Sequence, residues 1–235
     1  MKTFLSFLLA FFLLESGAAS AVPPPDFDEM VRLSQKACDG IKDYTCLFNR
    51  RERIGKALVA QRNVRTKVRK PFCVLLSWME GKMAGAESLY FPSKFGDKIR
   101  AHAGGVLQYL TLSLNPDGSL AMKDSRHSIR DFGIEYLVRR ISLDVKRSRE
   151  TGEGSVTFQK EAVLAGGPAW VYEGRFPEGK GFYGSRVVVC FDEKTFLPLK
   201  LSMYDKDDTL LEEYEFDDLR LNVGLTDDDF QFRRK

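Results

Sequence analysis

The chain is short of the residues that most enzyme and metal sites need. It has two histidines, four cysteines and two tryptophans in 235 residues, and neither His102 nor His127 stands in a metal-ligand spacing such as H-x-x-x-H. There is no C-x-x-C, no G-x-S-x-G nucleophile elbow and no glycine-rich phosphate loop. The spacing therefore predicts no catalytic residue, no metal and no cofactor. Charge of either sign is not in excess: a net charge of +3 is too mild to imply nucleic acid as a partner. Past the first 21 residues no apolar run is long enough for a membrane span.

What is present begins with a leader. MKTFLSFLLAFFLLESGAASA has a basic start at Lys2, an apolar stretch from Phe4 to Leu14, and an A-x-A site at Ala19 to Ala21. This is the layout of a cleavable secretory signal over 1–21, with 22–235 expected as a single exported domain. No cysteine follows the cleavage site, so the mature N-terminus shows no acylation signal. Export would carry Cys38, Cys46, Cys73 and Cys190 into an oxidising compartment, where one or two disulfides can form, Cys38 with Cys46 first. The alternative is that they are small buried apolar side chains.

Periodicity then sets the fold class. Asp26 is placed to cap a helix from Phe27 to about Ile41. A second helix is expected from Ser125 onward, with Ile129, Phe132, Tyr136, Leu137 and Ile141 as its apolar stripe. Most of the remainder alternates with period two between turn signals, ten or eleven strands in all. In VRTKVRK, Val64, Thr66 and Val68 face one way while Arg65, Lys67 and Arg69 face the other. Short turns between many strands predict a mainly β, α+β protein: one large antiparallel sheet that curls toward a half-barrel, with helices on its concave face.

Three stripes stand out as candidate surfaces. The apolar residues Phe72, Val74, Leu76, Trp78, Leu199, Leu201 and Met203 line a concave face as a dry wall for a ligand or as ordinary core. Arg50, Arg51, Arg53, Arg65, Lys67, Arg69 and Lys70 give the first strands a basic face. There Arg65, Lys67 and Arg69 form a docking patch for anionic lipid or an acidic partner, or simply the charged exterior that blunts exposed strands. Glu212, Glu213, Asp217, Asp218 and Asp227 to Asp229 read as a solvated acidic rim.

The C-terminal run VVVCFDEKTFLPLKLSMYD, continuing through YEFDDLRLN to DDDFQF, resembles the closing strands of the LolA-like periplasmic lipoprotein carriers. More narrowly, YTCLFNRRERIGKAL, RKPFCVLLSW and LNPDGSLAMKDSRHSI resemble an exported family catalogued as domain of unknown function 1571. The resemblance implies an unclosed half-barrel whose helix-covered concave side shelters acyl chains, with no catalytic residues. It implies a periplasmic, non-catalytic carrier or binding protein whose partner is a lipid or acylated lipoprotein, with transient membrane or membrane-protein contact. An envelope-sensing or protein-interaction module on the same scaffold is the alternative. Ser125, Arg126 and His127 belong to the narrower family's motif, which assigns them no role beyond capping and fastening the second helix.

Overall fold

The computed structural model describes residues 23–164 and 167–233; the expected leader over 1–21 lies outside them. Eleven strands form one antiparallel sheet. They are β1 (Asp43–Ile54), β2 (Ala57–Arg69), β3 (Cys73–Trp78), β4 (Glu87–Tyr90), β5 (Ile99–His102) and β6 (Leu112–Leu114), then β7 (Ser155–Leu164), β8 (Gly167–Arg175), β9 (Arg186–Asp192), β10 (Pro198–Tyr204) and β11 (Leu210–Leu221). Their order is β6-β5-β4-β3-β2-β1-β11-β10-β9-β8-β7, so two hairpin-connected meanders meet where the first strand pairs with the last. The outer strands β6 and β7 do not pair, and the sheet stays open.

Helices α1 (Phe27–Asp39) and α3 (Ile134–Thr151) lie together on the concave face; α2 (Pro92–Phe95) is a single turn. Asp26 caps α1, its side chain accepting from the Glu29 amide at 2.8 Å. Met30, Val31, Leu137 and Ile141 then pack on Tyr172, Val189, Phe191 and Leu201 in the main core. In β2, Val64, Thr66 and Val68 are buried and the intervening basic residues are partly exposed, as the alternation requires.

The second helix starts later than the sequence suggests. Ser125 does not cap it; residues 125–133 run as irregular chain with a short 3₁₀ turn at Ile129–Asp131, and α3 begins after Gly133. Gly133 has φ of +108°, and a Cβ there would stand 2.6 Å from the Tyr44 hydroxyl, which accepts the Ile134 amide at 3.2 Å. That close approach turns the chain, and only glycine permits it. Of the run VLQYLTLSL, only Leu112–Leu114 is strand; Gly105–Tyr109 is a 3₁₀ turn.

The convex face is covered in part by the C-terminal segment. Phe230 is buried with Cys73, Leu75, Leu89 and Phe91. Asp43 accepts from the Gly224 amide, and Thr226 and Asp229 form a capping box.

All four cysteines are buried thiols, unpaired, including Cys38 and Cys46. Burial pushes the Cys38 and Cys73 thiols up to about 12 and Cys46 higher still. The folded protein should therefore give no reaction with a thiol-specific chromogenic reagent at neutral pH and four equivalents once unfolded without reductant; two equivalents would instead reveal a disulfide.

Candidate functional site

The helices do not fill the whole concavity. α3 and α1 occupy the side formed by β7 to β11, and over β1 to β6 a cavity of about 360 Å³ remains. Its floor is strand side chains that alternation turns inward: Phe48 from β1, Val64 from β2, Leu76 and Trp78 from β3, Ile99 and Ala101 from β5. Its roof is the chain from Pro116 to Gly133, with Ala121, Ile129 and Phe132, the last ring standing edge-on to Phe48 at 4.9 Å. The volume lies within the range of small-molecule sites, about 300–1,000 Å³.

The expected apolar stripe is thus divided. Leu76 and Trp78 line the cavity, Trp78 with its indole N–H donated to Gln61 at 2.9 Å. Val74 is fully buried in the main core, and Phe72 is half-buried beside Tyr90. Leu199, Leu201 and Met203 sit away from the cavity on β10, in the part of the core that α3 covers, where a void of only about 30 Å³ remains beside Leu201 and Met203.

One end of the cavity is polar. β1 continues its inward register from Phe48 to Arg50 and Glu52, and β11 places Phe216, Tyr214 and Glu212 directly opposite them. Two carboxylates therefore face each other across strands while 2% and 3% exposed, an arrangement that cross-strand repulsion would disrupt without counter-charges. The counter-charges come from Arg50 and from the family motif. Glu52 accepts from Arg50 Nη1 at 2.9 Å, the Arg126 amide at 3.0 Å and the Tyr214 hydroxyl at 2.6 Å. Glu212 accepts from Arg126 Nε at 3.1 Å and the Tyr183 hydroxyl at 3.3 Å, and pairs with His127 Nε2 at 3.0 Å. Ser125 accepts from Arg50 Nη1 at 2.9 Å and donates to the His127 carbonyl. Burial alone would lower the His127 pKa, but Glu212, Glu52 and Asp131 together raise it above 6.5. Burial and the two carboxylates push the Tyr214 phenol far up, and burial with Glu212 takes Tyr183 to about 12. Ser125, Arg126 and His127 thus fasten the cavity's roof to the sheet rather than capping a helix.

Glu212 is accordingly no part of a solvated rim: the β11 alternation turns it inward, whereas its neighbour Glu213 pairs outward with Arg51. The inward pair in β1 was readable as charges falling on the phase of Phe48. Tyr183 and Tyr214 carried no such signal, since their partners lie far away in sequence.

Arg65, Lys67 and Arg69 do share the convex face, where the C-terminal segment meets them. Lys67 Nζ reaches the Asp229 carbonyl at 3.0 Å and its carboxylate at 3.1 Å. Arg69 pairs with Asp227 and lies over the Phe91 and Phe230 rings. Arg65 borders a hollow shared with Lys67, Asp228 and Asp229. His102 is buried against Glu87 at 3.2 Å, and Ser77 donates to the other Glu87 oxygen at 2.6 Å. The serine proton is thus directed to a carboxylate and not to the imidazole, which is not a nucleophile–base pair. Among the described residues no group of three or more His, Cys, Asp or Glu could hold a metal ion.

An open antiparallel half-barrel with its helices and an apolar cavity on the concave side defines the LolA-like fold class. Within it, the chain belongs to the family described as protein of unknown function DUF1571, whose model matches residues 41–235. No curated protein matches the chain in sequence. Among solved structures it is similar to MucB, with a TM-score of 0.51 at 14% identity over 87% of this chain and 62% of that one. It is likewise similar to MucB in complex with MucA(peri), at 0.50 and 15%, over 88% of this chain and 59% of that one. The Mycobacterium tuberculosis lipoprotein LppX gives 0.49 at 11%, over 84% and 96%. The chain spans about three-fifths of the MucB chains.

Proposed function

We propose that this protein is an exported, non-catalytic binding protein that shelters an acyl chain of a lipid or lipoprotein in the concave cavity. The observation that carries this reading is the cavity's asymmetry: apolar walls from Phe48, Val64, Leu76, Trp78, Ile99 and Phe132, closed at one end by the Arg50–Glu52–His127 cluster. An acyl chain exposed to water loses about 0.8 kcal/mol per CH₂, on the order of 11 kcal/mol for about fourteen carbons, so passage through an aqueous space needs such a dry wall. Leu76 and Trp78 are its contact residues in this reading.

The test fills the space without touching the polar cluster. Ala101 lies on the cavity floor, and Ala101→Trp should abolish uptake of a fluorescent fatty-acid probe while the thermal midpoint stays within a few degrees of wild type. Undiminished uptake by that variant would defeat the reading. Native mass spectrometry of the mature protein taken from its own envelope should show bound acylated species.

A second reading has one specific support: MucB, of the same fold, has been solved in complex with MucA(peri). On it, the scaffold binds a protein partner, with Arg65, Lys67 and Arg69 as the docking patch. Cross-linking separates the two, a carrier returning many acylated clients and an interaction module one dominant partner.

A further inference from the structure

Between β5 and β6 the chain displays a run of apolar side chains to solvent. Val106 is 89% exposed and Tyr109 75%, with Leu107, Leu110 and Leu112 also exposed. These residues are held in place and not left to collapse. The Leu110 amide donates to the Leu107 carbonyl at 3.1 Å, and Gly104 comes so close to the Ala84 carbonyl that a Cβ would stand 1.9 Å from its oxygen. A contiguous apolar patch of this kind marks an interaction site.

Its surroundings select the partner. β5 runs alongside β6 in the register Ile99↔Leu114, Arg100↔Ser113, Ala101↔Leu112, which places Arg100 next to the patch and Lys98 at the far end of the same edge hairpin. Lys94 lies on the adjoining single turn and Lys123 on the roof of the cavity. Among the described residues, Lys94, Lys98, Arg100 and Lys123 make no ion pair; of the acids on this edge, Asp97 and Asp117 share Arg130, and Asp124 stands next to Lys123 on the cavity roof. Along this edge five basic groups, Arg130 included, stand against Asp97, Asp117 and Asp124, so its net charge is positive. The two free edges of the sheet also differ: β7 carries Lys160 and Glu161 against strand pairing, but β6 is Leu-Ser-Leu with no charge. Apolar side chains with an interfacial tyrosine and unpaired lysines are the composition that sits at a bilayer surface. The patch also runs on into the cavity: Leu114 of the same strand and Leu120, itself exposed, are part of the lining.

We propose that the Gly105–Leu112 face docks on an anionic lipid bilayer, with Val106, Leu107, Tyr109 and Leu110 in the headgroup–acyl boundary and the cavity opening beside it. The inference rests on the carrier reading for its purpose, so its test uses a separate readout. The mature protein is sedimented with vesicles of phosphatidylethanolamine and phosphatidylglycerol, and with vesicles of phosphatidylcholine alone. Leu107→Glu with Leu110→Glu replaces exposed side chains and leaves the core intact. It should lower partition to the anionic vesicles by about tenfold or more, with fatty-acid uptake unchanged. Arg100→Gln with Lys123→Gln should weaken the preference for anionic over neutral vesicles, and added salt should weaken wild-type binding. Failure of the wild type to sediment, or equal sedimentation of the Leu107→Glu, Leu110→Glu variant, overturns the docking face. A dimer that this variant disrupts, with no vesicle binding by either protein, would also overturn it and assign the patch to a second copy of the chain. Loss of fatty-acid uptake by Ala101→Trp is scored independently, so either proposal can fail alone.

Discussion

Arg126→Ala is expected to lower the free energy of unfolding by about 2–4 kcal/mol, although the residue sits on an irregular segment and not in a strand or helix. The reason is what it leaves behind. Glu52 and Glu212 are almost wholly buried and face each other across β1 and β11; alanine keeps the residue-126 amide that Glu52 accepts from but removes the guanidinium that pairs with Glu212. Removing one partner of a buried charge set costs more than the set contributes as a whole, because the remaining charges cannot regain water. The lower part of the usual range applies because the Arg126 side chain keeps 24% of its exposure.

The loss should also depend on pH, in a direction set by His127. Its pKa is raised in the folded protein, so its stabilising pairing with Glu212 is complete below about 6.5 and fades as pH rises through the folded value. While His127 is charged it shields Glu212; once neutral, it leaves Arg126 as the remaining cation on that carboxylate. Urea unfolding of wild type and Arg126→Ala should therefore show a gap that widens between about pH 6 and pH 8.5. A gap constant across that interval would mean that His127 does not share the charge.

Leu201→Glu and Trp78→Glu should separate core from cavity more sharply than any other pair. Both residues belong to the apolar stripe read from the sequence, and both would suit a ligand wall. Leu201 is 2% exposed in the tightly packed part of the core that α3 covers. A carboxylate there forfeits the packing of a buried leucine and must be desolvated, together more than about 4 kcal/mol, a large part of the 5–15 kcal/mol that holds a domain. Circular dichroism should show Leu201→Glu largely unfolded or melting far below wild type. Trp78 borders the open cavity and is only partly buried, so Trp78→Glu should keep the β-sheet spectrum and lose fatty-acid uptake. If Trp78→Glu binds the probe normally, the ligand does not use this wall.

The behaviour of that stripe shows what local pattern conveys. Alternation reports which face a residue takes, and it did so for Val64, Thr66 and Val68 in β2 and for the β9 to β11 meander. It does not report what stands opposite that face. Leu76 and Leu201 have the same phase and apolarity, yet one meets space and the other meets packed core under α3, because the helix reaches only half of the sheet. The same limit hid the polar cluster. Its members come from residues 50–53, 125–127, 183 and 212–214, and only the pairing of the first strand with the last brings them together. The start of α3 departs from the local pattern for a different reason: Ser125 looks like a cap, but Gly133 and the Tyr44 hydroxyl settle where the helical turn begins.

The pairing of β1 with β11 has a consequence for the order of folding. The two meanders, β1 to β6 and β7 to β11, are each built from hairpins between neighbours, and such local contacts form early. Their union is between strands at opposite ends of the domain, so it carries the largest loop-closure cost and must come late. A chain emerging N-terminus first holds β1 with one edge unsatisfied, and Glu52 without Tyr214, until nearly all of it has been released. During that interval the apolar face of the first meander is exposed and open to aggregation or to a holding chaperone. The rate at which the last strand docks, more than the stability of either meander, then sets how much protein reaches the closed sheet.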